Sequence, residues 1–217
     1  VRSKSKVDKI IVDDTKKVRG VIVEGEKIEA SSVVYSGPCQ YLPNLIKEED
    51  VGRVFLERAK TMIPTAGVTL DFGLQGKASD LTGMVAVDNP FILAQFTSNI
   101  DSSVAPAGEQ LATFLHVLPP QQIMDRDAVE KAFQLLESHA FRMFPNLKGS
   151  ILWERRITMN IVDGVLPTPL QSRDKRLGLT APVKGLYFAG DCYDGEGGGS
   201  DIAFHSAKRC SEVIEKV

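Results

Sequence analysis

The chain has three cysteines in 217 residues, Cys39, Cys192 and Cys210, an odd number with no C-x-x-C spacing. That scarcity weighs against a disulfide framework and a structural zinc site, and it predicts a reducing, cytoplasmic setting. No run of roughly 18 or more apolar residues occurs, so no segment reads as a membrane-spanning helix. Val1-Arg2-Ser3-Lys4 does not open a charged, apolar, small-residue leader, and with no initial Met we expect a piece of a longer polypeptide. Charge of one sign is also lacking: 26 Lys and Arg against 28 Asp and Glu leave a formal charge of -2. That balance excludes a field that gathers nucleic acid, while peripheral membrane contact is left open. The three histidines, His116, His139 and His205, have no metal-ligand spacing with Asp or Glu. Internal repeats and low-complexity tracts are missing as well.

What is present is ordinary globular material, 43% hydrophobic and 25% charged, enough for one large domain or two small ones. Residues 7–35 alternate β-branched runs (Ile10-Ile11-Val12, 18–23, 28–30 and 33–35) with polar turns, the pattern of an antiparallel meander. Ser36-Gly37-Pro38 closes the last of these strands. Residues 42–60 read as a helix in two pieces with Val51, Val54, Phe55 and Arg58 on one buried stripe, ended by Pro64. Residues 65–74, 84–87, 91–96 and 110–118 read as successive antiparallel strands. A helix over 125–144 offers Val129, Phe133, Leu136, Ala140 and Met143 to cover that sheet, and 151–161 is a further strand. Residues 163–182, punctuated by Pro167, Pro169, Gly178 and Pro182, read as loop.

The last stretch carries the chemistry. A short apolar strand, Leu186-Tyr187-Phe188-Ala189, runs into Gly190-Asp191 and a cluster of Gly195, Gly197, Gly198 and Gly199. A helix follows through Ala203, Ala207, Cys210 and Val213, with Ser200 or Asp201 as its N-cap. A carboxylate closing such a strand lies where α/β sheets bind ligands, and it accepts hydrogen bonds from sugar-like hydroxyls. The glycines let a flat or phosphorylated group lie against the backbone, and the helix start presents N–H groups and a positive dipole end. Together these features fit a flavin nucleotide.

The run Gly185-Leu186-Tyr187-Phe188-Ala189-Gly190-Asp191, with the glycine cluster and helix behind it, resembles the second FAD-binding motif of the FAD-dependent oxidoreductases of the phytoene desaturase and amine oxidase superfamily. Val18-Arg19-Gly20-Val21-Ile22-Val23, Glu26-Lys27-Ile28-Glu29-Ala30 and Val33-Val34-Tyr35 are similar to the meander these flavoproteins place before the chain returns from the substrate domain. The resemblance implies a mixed α+β and α/β fold in three parts. Residues 1–37 are the meander returning to the FAD domain, 38–182 an antiparallel mixed-sheet substrate domain covered by helices, and 183–217 the C-terminal strand, glycine loop and helix of a Rossmann-like FAD-binding domain. It also implies FAD as the cofactor of the full-length parent. Asp191 would take the ribityl hydroxyls or adjoining phosphate, and Gly190, Gly198, Gly199, Ser200, Asp201 and Ile202 would complete the contact. The last four of these would lie near the N1 and O2 edge of the isoalloxazine.

No G-x-G-x-x-G follows a strand anywhere, although that element normally cradles the pyrophosphate. We therefore expect it upstream in the parent, and we expect this segment alone to hold little or no FAD and to be inactive. The implied chemistry is hydride transfer from substrate to flavin, with no catalytic side chain marked and no metal. Gly-Asp rather than Gly-Glu leans towards desaturase-like members with apolar, isoprenoid-type small-molecule substrates; an amine oxidase, or a non-catalytic substrate-binding module without cofactor, is the alternative. Outside the motif, His116 reads as a satisfied strand histidine and His139 as a surface residue, while His205 is a candidate to face the flavin region. Cys192 reads as a buried inert thiol, and Trp153, Phe91 and Phe96 as core.

Overall fold

The computed structural model describes residues 1–216, with Arg173 described by its backbone alone; Val217, the last residue of the segment assigned to the FAD motif, lies outside the described residues. In chain order the elements are β1 (Val7–Val12), β2 (Val18–Val23), β3 (Glu26–Glu29), β4 (Val33–Tyr35), a 3-10 turn (Cys39–Asn44), α1 (Glu48–Val51) and α2 (Arg53–Thr61). There follow β5 (Thr65–Gln75), β6 (Met84–Asp88), β7 (Phe91–Phe96), α3 (Thr97–Ile100), β8 (Glu109–Leu118), α4 (Arg126–Met143), β9 (Ile151–Asp163), β10 (Leu186–Phe188) and α5 (Ser200–Ile214). The chain divides into two compact units, Val1–Pro64 with the chain from Asp163 onward, and Thr65–Val162.

In the first unit β1, β2 and β3 form an antiparallel sheet. Gly20 is required there: its φ is +134°, and a Cβ would fall 2.0 Å from the Ile28 carbonyl oxygen. The β1–β2 turn is organised by Asp13, which accepts from the Thr15 hydroxyl (2.7 Å) and amide (2.9 Å), the Lys17 amide (3.1 Å) and Arg19 Nε (2.6 Å). The Thr15 hydroxyl, then Arg19 and the two amides, lower its carboxyl from the ordinary 3.8 to about 2. A depressed folded-state value means that the turn's support is whole above the ordinary carboxylate range and is lost as pH falls through about 2. We expect the Asp13 carboxyl carbon to titrate by NMR with its midpoint near 2. A midpoint at 3.8 would show that the turn is not closed in solution.

The expected four-strand meander stops at three strands. β4 leaves the sheet and pairs in parallel with β10, matching Val33, Val34 and Tyr35 to Leu186, Tyr187 and Phe188. Gly185 makes this approach: its φ is +85°, a Cβ would sit 2.5 Å from the Ser31 carbonyl oxygen, and its own carbonyl accepts from Val33 N at 2.8 Å. Residues 38–64 and 163–182, assigned from the sequence to the substrate domain, contribute Cys39, Leu42, Leu56, Ala59, Val165 and Leu177 to one core with Leu186, Phe188 and Tyr193. The stripe predicted on the helix is also shifted, because Gly52 (φ +86°) separates α1 from α2 and resets the helical phase. Val54 is 85% exposed, while Leu56 and Ala59 take the buried positions.

Two glutamines tie together the places where the chain leaves and re-enters this unit. The Gln40 amide donates to the carbonyls of Met62 (2.8 Å) and Gly164 (2.7 Å). Gln171 accepts from Ile63 N (2.7 Å) and donates to Ile63 O and Leu166 O, and Leu166 N donates to Ile63 O at 2.7 Å.

The second unit is a five-stranded sheet in the order β6-β7-β8-β5-β9. β5 and β8 pair antiparallel from Ala66↔Leu118 to Gln75↔Glu109. Ala66, Val68, Leu70, Phe72 and Leu74 on one face of β5 share a core with Ala132, Phe133, Leu136 and Ala140 of α4, as the helical spacing predicts. Asp125 caps α4, accepting from the amides of Asp127 and Ala128. On the other face Trp153 lies over Gly73, where a Cβ would fall 2.1 Å from its Nε1, and Arg155 donates to the buried Asp71 at 2.7 Å. Of the aromatics read as core, Phe96 is buried, whereas Trp153 and Phe91 are exposed, because each sits on an outer strand or strand end with one face uncovered. His116 Nδ1 donates to the Phe91 carbonyl (2.8 Å), and His139 Nδ1 donates to the Leu135 carbonyl one helical turn back (2.9 Å). No helix among the described residues is long and apolar enough to cross a membrane.

Candidate functional site

The site is built at the end of β10. This strand is fully buried because both edges are occupied: β4 lies on one side, and on the other Phe188 N donates to Leu179 O and Ala181 N to Leu186 O. Ala189 N still reaches Tyr35 O, after which Gly190 (φ +135°) turns the chain out of the sheet. Asp191 stands immediately beyond. Its Oδ2 accepts from the Gly164 amide at 2.6 Å, and a Cβ on Gly164 would collide with Cys192 Sγ at 2.1 Å and approach Asp191 Oδ1 at 3.0 Å. The carboxylate is therefore fixed by a glycine on the returning segment, chosen for space and not for backbone angle.

The turn is packed from below by Tyr193, which stacks on Phe188 (5.0 Å between centroids, 15° between planes) and donates to Gly37 O at 3.0 Å. Tyr35 donates in the same way to Pro38 O at 2.9 Å. Burial pushes the Tyr35 phenol up to about 12 and the Tyr193 phenol further in the same direction, so both remain neutral donors.

α5 grips the loop at three points. The buried Ser206 hydroxyl accepts from Gly190 N (2.7 Å), and its hydrogen is shared between the carbonyls of Gly190 (2.8 Å) and Ala203 (3.0 Å). Arg209 pairs with Asp194 at 2.7 Å, and His205 Nδ1 accepts from Glu196 N at 2.8 Å, which places the imidazole hydrogen of the neutral ring on Nε2. Sequence reasoning missed Ser206 and Arg209, and offered His205 for a different role. The available signal was Ser206 itself: it lies midway between Ile202 and Cys210 on the buried stripe, where a hydroxyl needs a partner.

The glycine loop is exposed from Glu196 to Asp201, and the predicted contact residues fall into two groups. Gly198, Gly199, Ser200 and Asp201 line the open side, and at Gly198 and Gly199 a Cβ would meet nothing within 4 Å. Ile202 is buried at 4% exposure, so its side chain does not reach the open side. Neither Ser200 nor Asp201 caps α5. Gly199 holds the N-cap position at φ +55°, and the amides of Asp201 and Ile202 bond back to the carbonyls of Gly198 (3.2 Å) and Gly199 (3.3 Å). A glycine at positive φ thus starts the helix without side-chain help. Cys192, beside Asp191, is fully buried, and no group of three or more potential metal ligands occurs among the described residues.

No family model matches the chain, and no curated protein matches its sequence. Solved structures do match. An oxidoreductase from Methanosarcina mazei is 18% identical with a TM-score of 0.75, covering 97% of this chain and 49% of its own. Reduced UDP-galactopyranose mutase is 12% identical with a TM-score of 0.63, covering 100% of this chain and 48% of its own. Cyclohexylamine oxidase from Brevibacterium oxydans is 13% identical with a TM-score of 0.55, covering 97% and 48%. The chain spans about half the length of each of these structures. Its mixed α/β architecture is the fold of that half, as the resemblance carried by residues 185–191 implies.

Proposed function

We propose that this chain forms the ribityl-facing and ring-facing side of an FAD site in an oxidoreductase. The observation that supports the reading best is the pinned carboxylate of Asp191 at the mouth of β10, with bare glycine backbone beyond it. The residues present fit the cofactor. Asp191 uses one oxygen for Gly164 and keeps further acceptor capacity for sugar-like hydroxyls. Gly198 and Gly199 leave space that a side chain would fill, so a flat group can lie on the backbone at the positive end of α5. When bound, FAD supplies a hydride acceptor; the pocket's task is to orient it. Ser206, Arg209 and His205 hold the loop in place, Asp191 would hold the ribityl chain, and the start of α5 would lend its positive end to the charge on the ring. The pyrophosphate cradle would come from polypeptide upstream.

The substrate we favour is apolar and isoprenoid-like, on the Gly-Asp form of the motif. Amine oxidation is the second reading, supported by the likeness to cyclohexylamine oxidase. The test uses the polypeptide as it occurs in the cell. We expect a flavin visible spectrum, and Asp191→Ala should weaken flavin binding by about tenfold to a hundredfold, the value of a hydrogen bond to a charged group. Unchanged flavin content after gel filtration of the variant would overturn the assignment. Anaerobic bleaching by isoprenoids or by amines separates the two substrate classes.

A further inference from the structure

The second unit keeps one face of its sheet out of its own core. Leu93, Leu111, Leu115 and Val117 are half-buried, yet none of them belongs to either hydrophobic core, because α4 covers the opposite face. A line of polar side chains crosses this apolar surface. Gln95 stands opposite Thr113, Thr113 stands opposite Asp71, and Arg155 reaches Asp71 from β9. Directly opposed residues share a face with their Cβ atoms about 5 Å apart, so the four side chains form one continuous seam. The rows beside it are mainly apolar, with Leu93 opposite Leu115 on one side and Leu111 opposite Gly73, under Trp153, on the other.

The seam has hydrogen-bonding capacity to spare. Among the described residues the Gln95 amide and the Thr113 hydroxyl have no hydrogen-bond partner. Arg155 gives Nε and Nη2 to Asp71 Oδ2, at 3.0 and 2.7 Å, and its Nη1 has no partner among the described residues. The Asp71 side chain is 5% exposed and that of Arg155 63%, so a buried carboxylate orients the guanidinium while its outer edge stays open. Asp71 also offsets the Arg155 charge. Arg156 adds none to this face, since it lies over Phe133 on the α4 side, 5.3 Å from the ring centroid. We propose that the seam binds an apolar small molecule by a carbonyl or carboxylate oxygen. Arg155, Thr113 and Gln95 donate to that oxygen, and the flanking leucines and Trp153 hold the hydrocarbon part. Donors without a net positive field select an acceptor oxygen, and a ligand lacking one would leave them desolvated and unpaired. The site lies wholly within the second unit and does not rest on the flavin reading.

The experiment titrates the native protein with methyl octyl ketone, decanoate and decylamine, reading both heat and tryptophan emission. The expected result is that the ketone or the acid binds at least about tenfold more tightly than the amine, whose head group has no acceptor oxygen. A tighter ketone assigns the seam to a carbonyl, and a tighter acid to a carboxylate. Thr113→Val and Gln95→Leu, which replace half-buried side chains with ones of similar size, should each weaken that binding by about threefold to tenfold, the value of a neutral hydrogen bond. Their urea midpoints, equal to that of the parent, show that the fold is kept. Trp153 is the one tryptophan of this sequence, and Trp153→Phe should abolish the emission change while heat is still released. Ketone and acid binding no tighter than the amine overturns the proposal, as does binding that neither seam variant weakens. Dimerisation that shifts the Trp153 emission, with neither oxygen compound bound, overturns it in favour of a second copy of the chain on this face.

Discussion

Gly164→Ala is expected to destabilise the first unit by about 1–3 kcal/mol, the usual cost of forcing a methyl into a filled core, and to lower flavin retention with it. The backbone does not object, since the φ of Gly164 lies outside the left-handed region. Space does. The new methyl would stand 2.1 Å from Cys192 Sγ and 3.0 Å from Asp191 Oδ1. Cys192 is fully buried and backed by Cys39, so the sulfur has nowhere to retreat, and the 2.6 Å bond from Gly164 N to Asp191 must stretch. Gly198→Ala is the control, because a methyl there meets nothing within 4 Å and should leave stability alone. Urea unfolding midpoints decide the matter. Equal midpoints for Gly164→Ala and the parent would mean that the Asp191 turn is not packed as described.

Phe114→Ala should cost more, about 3–5 kcal/mol, as fully buried Phe truncations do. Phe114 is at 0% exposure and meets Phe72 edge-on at 6.0 Å (70°) and Phe144 at 5.9 Å (60°). The cavity would open between the β5–β8 pair and α4. The cores of the two units share no residue, so amide exchange should accelerate across β5, β7 and β8 while β10 and α5 keep their protection. Equal loss of protection in both cores would show a single cooperative body.

Strands and helices were readable wherever a periodic pattern met a covered face. β5, β7, β8 and α4 fall within a residue or so of their expected limits, because alternation and the 3.6-residue stripe report burial directly. Partner choice was not readable. Nothing in Val33-Val34-Tyr35 says that β4 pairs with Leu186-Tyr187-Phe188 and not with β3, since that pairing depends on space at Gly185, far along the chain. The candidate site divides in the same way. Asp191 and the open glycines follow from local order, strand then acid then glycine. Gly164, Ser206 and Gln40 do not, because each meets its partner, the Asp191 carboxylate for Gly164 and backbone groups for the other two, only through the fold. The predicted cap failed for a local reason: Gly199 in the left-handed region begins the helix before Ser200 or Asp201 can bend back to an amide.

The paired glutamines Gln40 and Gln171 clamp the two passages of the chain side by side, with Ile63 hydrogen-bonded to Leu166. The stretch between them is therefore an insert whose ends are neighbours, the topology that accepts replacement of one module by another. A lineage can exchange that insert while the carboxylate-bearing turn stays in its original setting.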